Sequence, residues 1–310
     1  MTTQAKPLTT PSMRQEASKS RRRFVIINGD DFGFSSGVNR AIIEAHEQGV
    51  LTSTSLMVTG QAFEEAVALA QAHPKLAVGL HLVVGSAKAV LPYSQIPHLV
   101  DSNGNLSDQA TRSGLSYQFN PDARRELPLE IRAQLEKFRS TGLQLSHVDG
   151  HKHMHSNPVV LRALVKLADE FNIKVIRLPS EELRMNLKLD RGDLKTKLLW
   201  AFIYRGLRIY GERLLKSKGI GFADRVYGFL QTGRMTESYL LGLIPQIKAD
   251  VVEIYSHPAI AIAGEPSNGP LGNGTKELAT LVSDRVREAL VYSGFELTNY
   301  NNPEVIAALK

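Results

Sequence analysis

Residues 24–45 read FVIINGDDFGFSSGVNRAIIEA. An apolar run, Phe24 to Ile27, ends at a glycine-flanked turn carrying two adjacent carboxylates, Asp30 and Asp31. From Gly37 the pattern becomes helical, with Val38, Ala41, Ile42 and Ala45 on one face and Ser35 or Ser36 at the N-cap. The stretch spells strand, turn, helix. Neighbouring side chains on extended backbone point opposite ways, so Asp30 and Asp31 are expected to meet different partners. Adjacent carboxylates repel, and burial raises a pKa unless a cation or a proton relieves the charge. A solvated turn capping the helix would use the same residues. What the rest of the chain brings to this place decides between the two.

The unit recurs. Apolar runs at 53–58 (STSLMV), 76–84 (LAVGLHLVV), 143–148 (LQLSHV), 174–178 (KVIRL), 224–229 (DRVYGF), 251–255 (VVEIY) and 295–300 (FELTNY) alternate with helical patterns. The helices are expected at 62–73, 122–140, 157–171, 194–216, near 236–245 and at 277–294, while 85–121 reads as an excursion from the core. Roughly seven such units argue an α/β fold of parallel strands covered by helices. A closed or partly closed β/α barrel is the expected architecture, with a doubly wound open sheet as the alternative. In both, chemistry collects beyond the C-terminal ends of the strands. Residues 21–310 read as one domain behind a polar tail at 1–20.

Composition narrows the function. The chain of 310 residues has no cysteine, which excludes disulfides and thiolate-held metals and suits a cytoplasmic setting. No apolar run approaches the roughly 18 residues that span a bilayer, and the N-terminus lacks the apolar middle of a signal peptide. The net charge is +6 and Arg21, Arg22 and Arg23 are consecutive. No RNA-type aromatic motif or helix-turn-helix pattern accompanies them, so nucleic acid is not expected as a partner.

The strand-exit rule gathers scattered residues into one site. Asp30 and Asp31 follow the first strand, His81 lies towards the end of the third, and the fourth runs into HVDGHKHMH with His147, Asp149, His151, His153 and His155. Arg177 lies near the end of KVIRL and His257 follows VVEIYS. Two imidazoles and a carboxylate make a three-ligand site for a divalent cation such as zinc or magnesium, leaving room for water and substrate. The second carboxylate is then free to act as a base. Spacing assigns neither aspartate to either role and does not select a histidine of the cluster. Other carboxylate chemistries fit less well. The Asp-x-Asp of a phosphatase nucleophile is absent, a retaining glycosidase would not need the histidines, and GPLGNGTK (269–276) lacks the order of a phosphate loop.

Together INGDDFG (27–33), TSTSLMV (52–58), VGLHLVV (78–84), HVDGHKHMH (147–155), VIRLP (175–179) and YSHPA (255–259) resemble the YdjC-like carbohydrate deacetylases. The resemblance implies a distorted β/α barrel that holds a divalent metal and removes acetyl from N-acetylated sugars. It assigns Asp31, His81 and His151 to the metal, Asp30 to the general base and His257 to the acid. Arg177, Asp149, His153 and His155 become supporting or substrate-side residues. The stretches at 79–106 and 128–155 resemble one branch of the family, linked to hopanoid biosynthesis. That branch implies an N-acetylglucosaminyl lipid as substrate. Residues 194–218 mix Leu198, Leu199, Trp200, Phe202 and Ile203 with Lys195, Arg205, Arg213 and Lys216. Such a helix can rest on an anionic membrane, at its inner face, or pack on the barrel or a second copy. A homodimer is the assembly expected.

Overall fold

The structure, a computed structural model, describes residues 22–266, 268–269 and 271–309; the tail read at 1–20 lies outside them. The chain alternates as the sequence patterns require. First come β1 (Arg23–Phe32), α1 (Ser36–Glu47), β2 (Ser53–Leu56), α2 (Phe63–Ala72), β3 (Ala77–Leu82), α3 (Ala110–Phe119), α4 (Pro121–Ser140) and β4 (Leu145–Gly150). A 3-10 turn at His151–Ser156 leads into α5 (Pro158–Phe171), α6 (Leu183–Leu189) and α7 (Leu194–Lys216). Then follow β5 (Arg225–Tyr227), α8 (Glu237–Leu243), β6 (Val251–Ser256), α9 (Gly274–Leu281), α10 (Asp284–Tyr292), β7 (Phe295–Thr298) and α11 (Pro303–Ala308).

All strand pairs in the sheet are parallel, in the order β4-β3-β2-β1-β6-β5. β7 pairs with the first residues of β1, whose later residues pair with β2. β1 is buried on both faces, which explains its near-continuous apolar reading. The Ser35 hydroxyl caps α1 by accepting from the Val38 N–H, and Val38, Ala41, Ile42 and Ala45 form its buried stripe. The sheet curls into a distorted, partial barrel.

Four details depart from the sequence reading. β1 runs through Phe32, so the two aspartates belong to its last residues and not to a following turn. KVIRL is no strand of the sheet. Val175 and Ile176 make single bridges to Gly221 and Val148, and Ser180 bridges Val226, linking β4 to β5. Pro179 has no N–H to extend a ladder there. The last helix breaks at Val282 and Ser283, where the Ser283 hydroxyl donates to Glu237 across to α8. The excursion after β3 is anchored: Ile96, Leu99, Val100, Leu106 and Tyr117 are buried, and Glu130 of α4 accepts from the Val90 and Leu91 N–H groups.

Registered partners in a parallel pair share a face, and this sorts the interior by height. Phe24 pairs with Val251, Ile26 with Glu253 and Asn28 with Tyr255. The lower interior is apolar, built from Phe24, Ile26, Val175, Val251, Tyr300 and Val305. Further along β1 and β6 stand Asn28, Asp30 and Glu253, the last level with Ile26, and beside them Arg177, two residues past Val175, and His81 and Asp149 near the ends of β3 and β4, all buried.

Candidate metal and catalytic site

The upper interior holds two linked groups. The first centres on Asp31. Its φ of +70° lies in the left-handed region, at a register shift in the β1–β2 ladder between Gly29 and Phe32. This twist separates Asp31 from Asp30 and faces its Oδ1 to His81 Nε2 at 3.2 Å and to His151 Nδ1 at 3.0 Å. His151 stands at the start of the 3-10 turn that leaves β4, where Lys152 and His153 also have positive φ. Non-glycine residues in that region cluster at functional sites. His81 Nδ1 lies 2.8 Å from Asp149 Oδ1. With its proton on Nδ1 the ring directs the Nε2 lone pair at Asp31, the arrangement by which a carboxylate orients a metal-binding histidine.

These three donors satisfy the chemistry of a divalent cation. One atom each from Asp31, His81 and His151 lies within 4.8 Å of the others, and Asp31 Oδ2 is buried with no hydrogen-bond partner. Burial opposes ionisation of Asp31, but His151 and His81 outweigh it and hold the carboxyl well below the usual range. Burial likewise opposes the charged form of His81, while Asp149 and then Asp31 push its pKa up to about 10. Asp30, His81 and Asp149 form a second close group, but Asp30 and Asp149 already accept from Arg177.

The second group is built on Arg177. Its guanidinium grips Asp30 with both terminal nitrogens, at 2.7 and 2.8 Å. It also contacts Asp149 Oδ2 at 2.8 Å, and its Nε donates to Glu253 Oε1 at 2.8 Å. Tyr255 lies under its face at 4.7 Å. Asn28 donates to Asp30 Oδ1 at 2.8 Å and to Ser55 Oγ at 2.9 Å, and the Ser55 hydroxyl donates to Asp149 at 2.7 Å. Tyr300 donates to Glu253 Oε2 at 2.6 Å. Burial raises the Glu253 carboxyl, against the pull of Arg177 and the Tyr300 hydrogen bond. One cation thus braces three buried carboxylates.

The remaining candidates divide by position. Asp30, Asp31, His81, His151, His153 and His257 line one cavity of about 720 Å³. His153 Nε2 is 2.7 Å from the Tyr255 hydroxyl, and burial, then Arg177, keeps this imidazole neutral by lowering its pKa far below the ordinary value. The His257 backbone N–H donates to Glu277, its ring meets Tyr255 edge-on, and its Nδ1 is buried without a partner. His155 lies outside this lining, fully buried, with Nε2 donating to the Arg177 carbonyl at 2.9 Å. His147 also faces away from the cavity, bonded to Ser55 and Ser146. A Cβ at Gly79 would fall 2.4 Å from the His147 ring, so β3 leaves that space open. The reading from sequence did not include Glu253, Tyr300, Asn28 or Ser55. A carboxylate inside the apolar VVEIY run was the signal available for Glu253, because a charge in a doubly covered strand needs a buried partner.

With this geometry in view, comparison with known proteins is informative. A model of the family described as YdjC-like protein matches residues 24–291. A carbohydrate deacetylase of Brevibacillus brevis is 36% identical over 236 residues, covering 76% of this chain and 81% of its own. A carbohydrate deacetylase of Enterococcus faecalis is 30% identical over 288 residues, covering 90% and 97%. Among solved structures, one from Enterococcus faecalis V583, whose description proposes cellobiose-phosphate cleavage, is 27% identical. It superposes with a TM-score of 0.69 over 90% of this chain and 98% of its own.

Proposed function

This chain belongs to the YdjC-like protein family, and from that premise we propose that it is a metal-dependent carbohydrate N-deacetylase. The observation that carries the reading is the convergence of Asp31, His81 and His151 beside an Arg177-held Asp30 in one cavity. Asp31, His81 and His151 would hold one divalent ion, zinc or magnesium, which when bound polarises the acetyl carbonyl and brings a water's pKa towards about 7.

The other residues divide the proton work. Asp30 accepts the proton of the attacking water, and Arg177 and Asn28 fix the plane of its carboxylate for that transfer. Asp149 holds His81 in the tautomer that leaves Nε2 free. His257 delivers a proton to the leaving nitrogen as the C–N bond breaks, giving acetate and the free amino sugar. His153 stays neutral against Tyr255 and offers the substrate a polar edge.

The finer reading is an N-acetylglucosaminyl hopanoid as substrate, deacetylated in the cytoplasm at the inner face of the membrane. The apolar wall that Trp200, Tyr204, Phe229 and Leu271 give the cavity supports it. Acetate release from that glycolipid, beside N,N′-diacetylchitobiose and a chelated control, tests both levels. Chelator-sensitive release from the glycolipid alone supports the whole reading. Release from chitobiose alone keeps the chemistry and removes the lipid. Full activity in metal-stripped Asp31→Ala protein would sink the mechanism.

A further inference from the structure

Helix α7 is turned inside out. Its buried positions include Lys197 and Arg208. Lys197 Nζ is satisfied by the Asp190 carbonyl at 2.9 Å and Gln231 at 3.1 Å, and Arg208 by the carbonyls of Leu178 and Ala223 at 2.7 and 3.0 Å. Its outward face is apolar instead. Of the fourteen large hydrophobic side chains most exposed among the described residues, seven stand on α7, including Leu198, Leu199, Phe202 and Ile209. Phe202 is 80% exposed. A helix that packs charge inward and apolar surface outward marks an interaction face.

The charge pattern says what covers it. Arg205, Arg213 and Lys216 continue the outward face through the second half of the helix, and Lys195 precedes it. None of the four forms an ion pair among the described residues, and the single carboxylate of α7, Glu212, is held by Arg208. Basic residues beside an exposed apolar face match an anionic lipid surface. A two-fold contact with a second copy would set this uncompensated positive face against itself. No helix among the described residues is long and apolar enough to cross a membrane, so α7 can only lie on one. Its apolar half borders the cavity directly: Thr196, Lys197, Trp200 and Tyr204 line it, with Leu271, 47% exposed, among the other lining residues.

We propose that α7 docks the protein on an anionic bilayer and sets the cavity mouth at the lipid headgroups. Docking stands on the helix alone; that the bilayer delivers the acetylated sugar rests on the function proposed above. Vesicle flotation with phosphatidylcholine, with and without phosphatidylglycerol, tests it, read in parallel by the emission of Trp200, the chain's only tryptophan. The expected result is binding to the anionic vesicles, a blue shift of Trp200, and weakening by salt. Phe202→Ser should reduce partitioning about tenfold or more, since it removes one inserted aromatic side chain. Arg205→Gln with Arg213→Gln should cost about 25-fold, at about fivefold per cation. None of these side chains lines the cavity, so hydrolysis of a water-soluble acetylated sugar should be unchanged. Failure to bind either vesicle, or binding that Phe202→Ser leaves intact, overturns the proposal. So does a dimer in sedimentation that Phe202→Ser converts to monomer, which would give the face to a second copy. Vesicle binding without acetate release from any sugar would sustain the docking and remove the deacetylase reading.

Discussion

The lower and upper halves of the barrel interior share β1 and β6 and differ in almost everything else. Phe24 and Ile26 give way, two residues at a time, to Asn28 and Asp30; Val175 gives way to Arg177, and Val251 to Glu253. Below, burial is favourable side chain by side chain and needs no particular partner. Above, each group is buried only because another compensates it: Arg177 answers Asp30, Asp149 and Glu253, and His81 answers Asp149 and Asp31. Tyr300 joins the halves, its ring in the apolar cluster and its hydroxyl on Glu253. The upper half is therefore expected to fail as a network and the lower half by increments.

Removing the hub should have the largest effect. Arg177→Met leaves three carboxylates buried without their cation and should destabilise the fold by about 3–5 kcal/mol, with activity lost as well. Urea unfolding at neutral pH measures it. Adding Glu253→Gln to that variant should return part of the loss, because one stranded charge is removed. A double variant no more stable than Arg177→Met would mean that the three carboxylates are not balanced through the guanidinium.

Next comes a change that should disturb the network less and stop the chemistry. Asp30→Asn keeps the side-chain volume but cannot accept the water's proton, and its amide N–H2 replaces one oxygen that accepts from Arg177. Deacetylation should fall about 10²–10⁴-fold, the usual worth of a positioned acid or base. Metal content should stay near that of the parent, while the melting temperature should fall by less than in Arg177→Met, because Asp149 and Glu253 still answer the guanidinium. Asp31→Ala should instead lose the metal itself, which elemental analysis after dialysis would register. If both variants lose metal equally, the division of labour between the two aspartates is wrong.

A smaller effect is expected from acid. His147 and His155 are both fully buried and held neutral, with pKa values near 4. For His147 burial is the main cause and Arg177 adds to it, against the opposing pull of Asp149 and Asp30; for His155 burial leads and Arg177 adds, against Asp149. A histidine whose folded pKa is depressed contributes stability that is fully present above about pH 6.5 and lost as pH falls towards 4, because the unfolded chain binds the proton first. Each should account for on the order of 3 kcal/mol across that window. Unfolding free energies at pH 7 and pH 5 should differ less in His147→Gln than in the parent. An unchanged slope would assign the acid sensitivity to other groups.

How much of this was legible in the sequence follows the same division. Strand and helix periods come from local apolar spacing, so the β-α alternation and the strand-end location of Asp30, Asp31, His81, Asp149 and His151 could be read directly. Arg177 was also found, although KVIRL makes bridges rather than a strand, because the residues before Pro179 still run beside β4. Glu253 and Tyr300 were not found. Their roles depend on which residues meet across the barrel, and one chain's spacing does not state that register. The polarity of α7 was misleading for the same reason: 194–216 reads as mixed, and only the packing shows Lys197 inside and Phe202 outside.

The mildest test returns to the lower half. Ile26 lies one alternation below Asn28, fully buried among Phe24, Val175, Val251 and Tyr300. Ile26→Val removes a single methylene from a side chain that lies beside Glu253 but forms no hydrogen bond or ion pair itself, and should cost about 0.5–1.5 kcal/mol. If the two halves are energetically separate, kcat/KM should not change, because neither Asp30 nor Arg177 depends on that contact for its partners. A loss of activity larger than the loss of stability would show that the apolar floor sets the height of Asn28 and Asp30. The interior would then have to be treated as one coupled stack and not as two regions.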